Sequence, residues 1–487
     1  MASRPVRVAG WVITHLLYTV WLALMIATPL FGFWLASSLA AYDNAPEWLA
    51  LVGGLVLFPV APVGWELFSA WRRAKRGSTE KPILTRLDRL VLRTLIVNGA
   101  FLGIMLWRAP HVSFRALAVR GDWILDGHSG PYVDDVRDVL LGFADELDHW
   151  ATHRDASTYG TSTKPPPPPS QVTIYDLAKP VEPKDPNGWP RVAEADAIVT
   201  AIPDDAQTSV EAVGKYFAAR ISDKRELVKA LHDYVVLRLH YDTPTSLLTG
   251  EAALTRPSQQ ADDVFAARTG VCEGYARLMK ALGDAAGLEV AFITGYIRDA
   301  RRNSGDASTD DAIKHALEGN LHAWNAVKID GTWLFVDATW DDPVTDDGSQ
   351  RLSETYLFTP PRLFGLDHFP EEPAWQLVPS PISIGDFSRQ PLLNPRIGML
   401  AVALESPQRS QVTADNGALQ VVIGNSFQST VVAQVVGGDA CGAPSRDIHV
   451  EMTCTIPPGQ HEVRLFGARD ASARSLEYFG SIMVNGR

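Results

Sequence analysis

The residue best suited to nucleophilic chemistry is Cys272, in the segment TGVCEGYARLMKAL. The apolar residues after it recur at helical spacing, which predicts a helix that begins near Val271. A cysteine in the first turn of a helix lies in the partial positive charge of the helix N-terminus, which favours the thiolate. Cys272 is therefore a candidate nucleophile, and a buried unreactive thiol is the alternative.

A predicted β-hairpin brings a histidine and an aspartate together downstream. Asp330-Gly331 is a two-residue turn signal, and such a turn pairs residues whose numbers sum to 661. This register places His322 and Asp337 on one face of the sheet as diagonal neighbours. A three-residue turn would put them on opposite faces. The other face collects residues typical of a core: Ala323, Val327, Ile329, Leu334, Val336 and Ala338.

Cysteine, histidine and aspartate together support acyl transfer through a covalent intermediate. His322 would take the thiol proton of Cys272 and later protonate the leaving amine, while Asp337 would orient the imidazole and stabilise its charged form. Each of the two hairpin residues alone also suits a structural role. Their joint arrangement favours catalysis, and we predict the catalytic residues Cys272, His322 and Asp337.

The surrounding segments predict an α+β domain followed by a β-sandwich. Asp223 with Glu226 resembles a capping box, Gly287 is placed to end the Cys272 helix, and Leu288–Ile297 reads as a strand. From about residue 395, short β-branched stretches alternate with turn residues, which indicates a sandwich. These stretches are Leu419–Ile423, Thr430–Val436 and His461–Phe466.

The motif blocks resemble the transglutaminase-like superfamily. GVCEGYA and HAWNAVKIDGTWLFVDATWDDP, with LHDYVVLRLHYDT upstream and YLFTPPRLFGLDHFP downstream, are similar to its bacterial and kyphoscoliosis-peptidase-type members over about residues 225–378. The resemblance implies a papain-like α+β core, the same three catalytic residues and acyl chemistry on an amide through a thioester. The acyl group would pass to water, as in a peptidase or amidase, or to an amine, as in cross-linking.

The sequence is less informative about auxiliary groups of the site. The Cys272 N–H is the safest oxyanion donor, and Gln259, Gln260 and Trp340 are side-chain candidates that equally suit loop or packing roles. No Cys/His cluster has zinc spacing and no calcium site of the animal cross-linking enzymes is recognisable, so we predict no metal and no cofactor. Residues without an assigned role are Asp306, Asp310 and Asp311 of a solvated acidic loop, and His315 and His368.

Composition divides the 487-residue chain into two parts. The formal net charge is −12, but residues 1–110 hold eleven Lys and Arg against five acids, a charge of +6 that leaves −18 for the remainder. A hydrophobic content of 46% argues against disorder as the main state, and three cysteines exclude a disulfide scaffold. The acidic balance argues against a nucleic-acid partner.

The basic part predicts three membrane spans. Val8–Tyr42 has no charged residue, Trp48–Trp71 has only Glu66, and Leu90–Trp107 has only Arg93 near its start. Each run approaches or exceeds the ~20 apolar residues that cross a bilayer. The loop between the second and third runs is basic: Arg72, Arg73, Lys75, Arg76, Lys81, Arg86 and Arg89. Basic loops stay in the cytoplasm, so residues from about 110 onward are expected outside it. If the third run does not span, the catalytic domain faces the cytoplasm.

We therefore predict four regions: a membrane region over 1–110, a connector over 111–200, a catalytic domain over 201–390 and a β-sandwich over 391–487. The connector is expected to hold a helix from Pro131 and a polyproline spacer at Lys164–Ser170. The apolar stripe of that helix is Val133, Val136, Leu140, Phe143, Leu147 and Trp150. In an oxidising compartment, Cys441 and Cys454 would form a disulfide, and two free buried thiols are the alternative.

The functional hypothesis is an integral protein of the cytoplasmic membrane with an extracytoplasmic transglutaminase-like cysteine enzyme. Its substrate would be an amide of a protein or cell-envelope peptide. The rival hypothesis is a catalytically inactive scaffold or binding protein of the cell envelope. A binding module has no need of all three catalytic residues, so the complete set favours the enzyme.

Overall fold

The chain is seen in a computed structural model that falls into two units. One unit is Met1–Asp155 with Ser383–Asp386, and the other is Ala156–Ile382 with Phe387–Arg487. The described residues are 4–42, 47–76, 83–125, 131–152, 163–166, 189–190, 193–248, 255–298, 321–342, 352–379, 381–382, 384–408, 410 and 412–486. Most of the predicted polyproline spacer, the acidic loop with Asp306, Asp310 and Asp311, and His315 lie outside these ranges.

The first unit is helical throughout its described residues. Its α-helices are α1 (Arg4–Tyr42), α2 (Glu47–Leu55), α3 (Ala61–Lys75), α4 (Arg86–Arg108), α5 (Pro110–Arg120) and α6 (Pro131–Thr152), with a π-helical turn at Val56–Val60 and a 3₁₀ turn at Trp123–Leu125. Three stretches are long and apolar enough to cross a membrane by length and composition: Trp21–Tyr42, Trp48–Lys75 and Arg86–Arg108. The three-helix part of the predicted architecture is therefore present.

The charged residues of the second and third stretches pair with each other. Glu66 on α3 accepts from Arg89 on α4 at 2.7 Å and also pairs with Arg93 on α4. Arg73, on the same helix as Glu66, lies 3.5 Å from the carboxylate. An ionisable side chain in an apolar segment is costly unless it has a partner. Helix α3 supplies the carboxylate and helix α4 supplies two guanidinium groups, so the charged side chains of each apolar segment have a partner on the other.

Helix α6 begins at Pro131 as predicted, but its predicted packing stripe is only partly buried, with Val133, Leu140 and Leu147 half-buried. Val136 and Phe143 are exposed, and the buried side chains of the helix include Arg137, Leu141 and Ala144. Arg137 turns inward because its guanidinium donates to Asp122 at 3.0 Å. A buried ion pair thus shifts the buried face away from the one that apolar spacing favoured.

The second unit begins with a helical layer around a four-stranded sheet. Its α-helices are α7 (Ala197–Thr200), α8 (Val210–Ala218), α9 (Lys224–Arg238), α10 (Thr243–Ser246), α11 (Ala261–Ala267), α12 (Cys272–Ala285) and α13 (Pro361–Phe364). The strands are β1 (His240–Tyr241), β2 (Thr269–Gly270), β3 (Glu289–Ile297), β4 (Leu321–Ile329), β5 (Thr332–Val336) and β6 (His368–Pro370), with 3₁₀ turns at Asp204–Ala206 and Pro373–Gln376. The antiparallel sheet has the order β5-β4-β3-β6, and β1 pairs with β2 in parallel.

The predicted hairpin is confirmed in register and turn. Ile329 pairs with Thr332 and Asn325 with Val336, so the pairs sum to 661. Asp330 and Gly331 have φ of 51° and 86°, as a type I′ turn requires. Val327, Leu334 and Val336 join the core beneath α9 and α12, and Trp324, Ala326 and Phe335 join an aromatic cluster on the other face. Both faces of the sheet are therefore buried.

The C-terminal strands form two sheets around a shared apolar core. The strands are β7 (Leu392–Leu393), β8 (Ala403–Ser406), β9 (Val412–Ala414), β10 (Ala418–Gly424), β11 (Thr430–Val435), β12 (His449–Thr455), β13 (Gly459–Ala468) and β14 (Glu477–Gly486), and the short helices are α14 (Ile384–Arg389) and α15 (Arg396–Met399), with a 3₁₀ turn at Asp415–Gly417. One sheet has the order β12-β10-β8 and the other β11-β13-β14-β7, with β9 also on β14. Cys441 and Cys454 are joined in a disulfide. The predicted α+β fold class with C-terminal sheets is confirmed.

Candidate active site

Cys272 occupies the first position of α12, after Val271 as the N-cap residue. The Val271 N–H donates to Gln259 Oε1 at 2.9 Å, and Gln259 Nε2 donates to the Pro257 carbonyl at 3.1 Å. A Cβ at Gly274 would lie 2.6 Å from the same Gln259 oxygen, so only glycine lets the side chain pass this close. Gln259 thus holds the turn that leads into the helix.

The first turn of α12 is also tied to the chain that precedes it. The buried carboxylate of Glu273 accepts from Arg256 at 2.8 Å and from Arg277, one turn along the helix, at 2.9 Å. The N–H groups of a first helical turn have no partner inside the helix. The Cys272 N–H lies in this first turn and remains the candidate donor, while Gln260 is exposed and precedes α11.

His322 lies near the start of β4 and is buried. Its Nε2 donates to Asp337 Oδ2 at 2.6 Å, and the Cys272 side chain lies close enough to help raise the pKa of the imidazole. Because Nε2 is engaged by the carboxylate, Nδ1 is the ring nitrogen left for the thiol. The structure therefore brings together all three residues that the sequence singles out.

Asp337 follows the last residue of β5, where the chain leaves the sheet. Its Oδ1 accepts the N–H groups of Thr339 at 2.9 Å and Trp340 at 3.3 Å, so the carboxylate caps its own turn. Its N–H donates to the Tyr356 carbonyl at 3.2 Å. Backbone N–H groups thus hold Asp337 Oδ1, and Oδ2 remains to accept the hydrogen bond from His322.

Electrostatics favour a charged pair at this position. Burial disfavours ionisation of Asp337, but His322 and then His368 outweigh it and hold the pKa of this carboxyl well below its usual range. Burial likewise disfavours the charged form of His322, but the Asp337 carboxylate and the Cys272 sulfur outweigh burial and raise the pKa of this imidazole above its usual value. An imidazolium beside a thiol stabilises the thiolate.

Aromatic side chains enclose the imidazole. The His322 ring lies 6.0 Å from the Trp324 ring and 5.8 Å from the Trp340 ring. Trp340, a candidate oxyanion donor in the sequence, packs here as a wall of the site. Such apolar walls lower the local dielectric and strengthen the hydrogen bond that they cover.

Asn325 connects the helix that carries Cys272 to the sheet that carries His322. Its buried Nδ2 donates to the Ala276 carbonyl on α12 and to the Ala291 carbonyl on β3, both at 3.0 Å. Ala276 lies one turn after Cys272. The amide therefore ties α12 to the sheet close to Cys272.

Sequence reasoning missed the second histidine of the site. His368 Nε2 lies 3.0 Å from Asp337 Oδ2, the same oxygen that His322 reaches, and its Nδ1 lies 2.7 Å from Asp367 Oδ1. His368 stands 31 residues from Asp337, on the far edge strand β6. The residue types around it gave no periodic or spacing signal that could have found this contact.

A second buried network anchors the turn after Asp337. His232 Nδ1 lies 3.1 Å from Asp233 Oδ1, and its Nε2 lies 3.2 Å from Asp341 Oδ2. Asp342 accepts from the Tyr275 hydroxyl at 2.6 Å. Burial disfavours charge at His232, but the two carboxylates outweigh it and raise the pKa of this imidazole to about 9. Two helices thus hold the turn that positions Asp337.

His322, Asp337 and His368 also offer three ligand atoms within 4.8 Å of one another. The separations from Asp337 Oδ2 to the two Nε2 atoms are 2.6 and 3.0 Å. Ligands about 2.1 Å from a tetrahedral ion lie about 3.4 Å apart, so these spacings fit direct hydrogen bonds better than shared coordination.

The chain is similar in sequence to known proteins in the region that holds this site. Residues 211–338 match the family model described as the transglutaminase-like superfamily. Kyphoscoliosis peptidase of Mus musculus is 25% identical over 263 residues, which is 52% of this chain and 38% of that protein. The Lim and transglutaminase domain protein ltd-1 of Caenorhabditis elegans is 31% identical over 134 residues, 25% of this chain and 18% of that protein.

A solved structure described as a TGase is 21% identical, covering 30% of this chain and 34% of that one at a TM-score of 0.20. The chain spans only 38% of the kyphoscoliosis peptidase that it matches. The predicted resemblance is confirmed at the level of the domain: this chain contains a transglutaminase-like domain, and the matched residues include the three candidate residues.

Proposed function

We propose that this transglutaminase-like domain belongs to a membrane-anchored cysteine enzyme that acts on amide bonds of proteins or envelope peptides. Cys272 is the nucleophile, His322 the general base and acid, and Asp337 the group that orients His322. The observation that carries the proposal is the 2.6 Å contact between His322 Nε2 and Asp337 Oδ2, on an imidazole whose charged form is also favoured by Cys272. The match to kyphoscoliosis peptidase supports the same class of chemistry.

The reaction follows from these contacts in two halves. The Cys272 proton moves to His322, and the thiolate sulfur bonds to the amide carbonyl carbon. The Cys272 N–H, at the start of α12, stabilises the oxyanion. The C–N bond then breaks, the amine leaves with the proton from His322, and a thioester remains on Cys272.

The second half regenerates the thiol. Water or a primary amine attacks the thioester carbon and gives its proton to His322, and the C–S bond breaks as the sulfur recovers a proton. Water yields a carboxylic acid and an amine yields a new amide. Hydrolysis and transfer use the same three residues. The product therefore depends on whether water or an amine reaches the thioester.

The membrane part of the proposal is supported by three helices and by charge. The stretches Trp21–Tyr42, Trp48–Lys75 and Arg86–Arg108 suit spanning, and the basic residues lie at the end of the second stretch, at the start of the third and between them. The positive-inside rule then assigns the second unit to the extracytoplasmic side. A disulfide between Cys441 and Cys454 suits that compartment.

Reactivity of Cys272 tests the proposal. The other two cysteines are bonded to each other, so a thiol-specific alkylating agent reports on Cys272 alone. We expect the native protein to be alkylated near neutral pH, and to form an acyl adduct on Cys272 with 4-nitrophenyl acetate, detected by mass spectrometry. Cys272→Ala should lose both signals and keep its melting temperature. A native thiol that reacts only after denaturation would support the inactive scaffold instead.

A further inference from the structure

His368 lies between two carboxylates, and this position dictates its protonation state. Its Nδ1 is 2.7 Å from Asp367 Oδ1 and its Nε2 is 3.0 Å from Asp337 Oδ2. An ionised carboxylate only accepts hydrogen bonds, so a neutral imidazole can satisfy one of these contacts and not both. The doubly protonated ring satisfies both.

Both carboxylates have reasons to be ionised apart from His368. Asp337 accepts two backbone N–H groups at Oδ1 and His322 at Oδ2. Asp367 accepts the Tyr356 hydroxyl at 2.6 Å and is attracted by the Arg298 guanidinium. Arg298 is buried and donates to the carbonyls of Phe387 and Gln390 at 2.6 and 2.8 Å, so its position beside β6 is fixed.

The surroundings of His368 leave it little access to water. Its side chain is buried, and the rings of Phe364, Trp340 and Trp324 lie 4.1, 4.5 and 5.2 Å away. The titratable and charged groups that face it directly or through Asp367 come from every neighbouring element: His322, Asp337, Tyr356, Asp367 and Arg298.

Among the described charged groups Asp337, Asp367 and Arg298, a positive His368 balances the net charge. When His322 is neutral, Asp337 and Asp367 carry two negative charges and Arg298 one positive charge. A cationic His368 brings the sum to zero. When the Cys272 proton moves to His322, the new thiolate and imidazolium cancel and the sum stays at zero. An unpaired buried charge is costly, so the cation keeps Asp337 stable in both states.

We propose that His368 is a positioning residue of this site, an imidazolium that compensates the buried charge of Asp337 while His322 gives up and regains its proton. The inference rests on the proposed function for its catalytic meaning, since it assigns His368 a part in that proton transfer. The described residues hold one parallel, His232 between Asp233 and Asp341, where the same pairing of one imidazole with two carboxylates recurs.

The pH dependence of Cys272 alkylation tests the role of the charge in the full-length protein. Removing a positive charge behind Asp337 weakens stabilisation of the thiolate, so His368→Gln should move the midpoint of the rate profile upward by about one pH unit. His368→Phe fills the volume without charge and should shift the profile equally. If His368 has only a structural role, the midpoint of the pH profile should stay unchanged in each variant that folds. His461→Gln, on the β-sandwich, is the matched control and should leave the midpoint unchanged.

A second measurement does not depend on either variant folding. Selective ¹⁵N labelling of histidine in the detergent-solubilised wild-type protein reports ring protonation directly, and Asp367→Asn, which keeps the side-chain shape, identifies the His368 signals by their change. We expect both His368 nitrogens to be protonated near pH 7. A neutral His368 would overturn the inference even if Cys272 is reactive, whereas an unreactive Cys272 with a cationic His368 would count against the proposed function alone.

Discussion

Gly295 on β3 lies directly opposite His322 on β4, and the structure leaves no space for a side chain at residue 295. A Cβ there would lie 2.2 Å from the Phe369 carbonyl oxygen and 2.5 Å from Trp324 Cη2. The strand that bears His322 is therefore packed against glycine, because Phe369 and Trp324 approach residue 295 too closely for any other residue.

Gly295→Ala should push β6 or the Trp324 ring away from β3. Overpacking of this kind costs about 1–3 kcal/mol, and it should lower the melting temperature and the acylation rate together. Gly142→Ala is the matched control, because a Cβ at that helical position in α6 meets nothing within 4 Å. The control should be neutral or slightly stabilising; equal effects of both changes would contradict the packing argument.

Asp337→Asn should retain the shape of the side chain and lose its charge. The imidazole of His322 then has no anion to stabilise its charged form, and loss of this role in comparable triads lowers the rate by about 10³–10⁴-fold. The measurement is the rate of acyl-adduct formation on Cys272 with 4-nitrophenyl acetate.

The exposed Asp262 in the first turn of α11 provides a control for the loss of one carboxylate. Asp262→Asn should acylate at the wild-type rate. If Asp337→Asn did so as well, while its melting temperature stayed high, His322 would not depend on Asp337 and its assigned role would be wrong.

His232 should make the fold sensitive to alkaline pH. Its pKa is raised from 6.5 to about 9 in the folded protein, so the stabilisation is fully present below pH 6.5 and is lost as pH rises through 9. A shift of about 2.5 units corresponds to about 3 kcal/mol. The melting temperature of the wild type should therefore fall more steeply than that of His232→Gln between about pH 6 and about pH 10. Parallel curves would show that His232 is neutral in the folded protein.

Membrane topology is tested by protease treatment of intact spheroplasts. We expect digestion of the second unit from outside, because the basic residues at the facing ends of the second and third candidate spans, and between them, stay in the cytoplasm. Non-reducing peptide mapping of the same membranes should recover Cys441 and Cys454 as one linked peptide. Full protection of the second unit, with both thiols free to react, would place it in the cytoplasm.

Periodicity and turn chemistry let the sequence determine the local elements of this protein. The Asp330-Gly331 turn fixed the hairpin register, because both positions need positive φ and the side-chain period of a strand is two. The glycine-flanked cysteine at a helix start, and the His322–Asp337 diagonal across that hairpin, followed from the same local rules. Hydropathy and charge likewise identified the three apolar stretches.

Only the tertiary structure decided which distant groups meet. Sheet order β5-β4-β3-β6 brings His368 of the edge strand to the carboxylate that His322 already holds, and no local pattern encodes that adjacency. The buried face of α6 was predicted only in part for the same reason, since the partner of the buried Arg137 is Asp122, fifteen residues away. Spacing along a chain sets which face a side chain takes, but which charge lies opposite depends on how the elements pack.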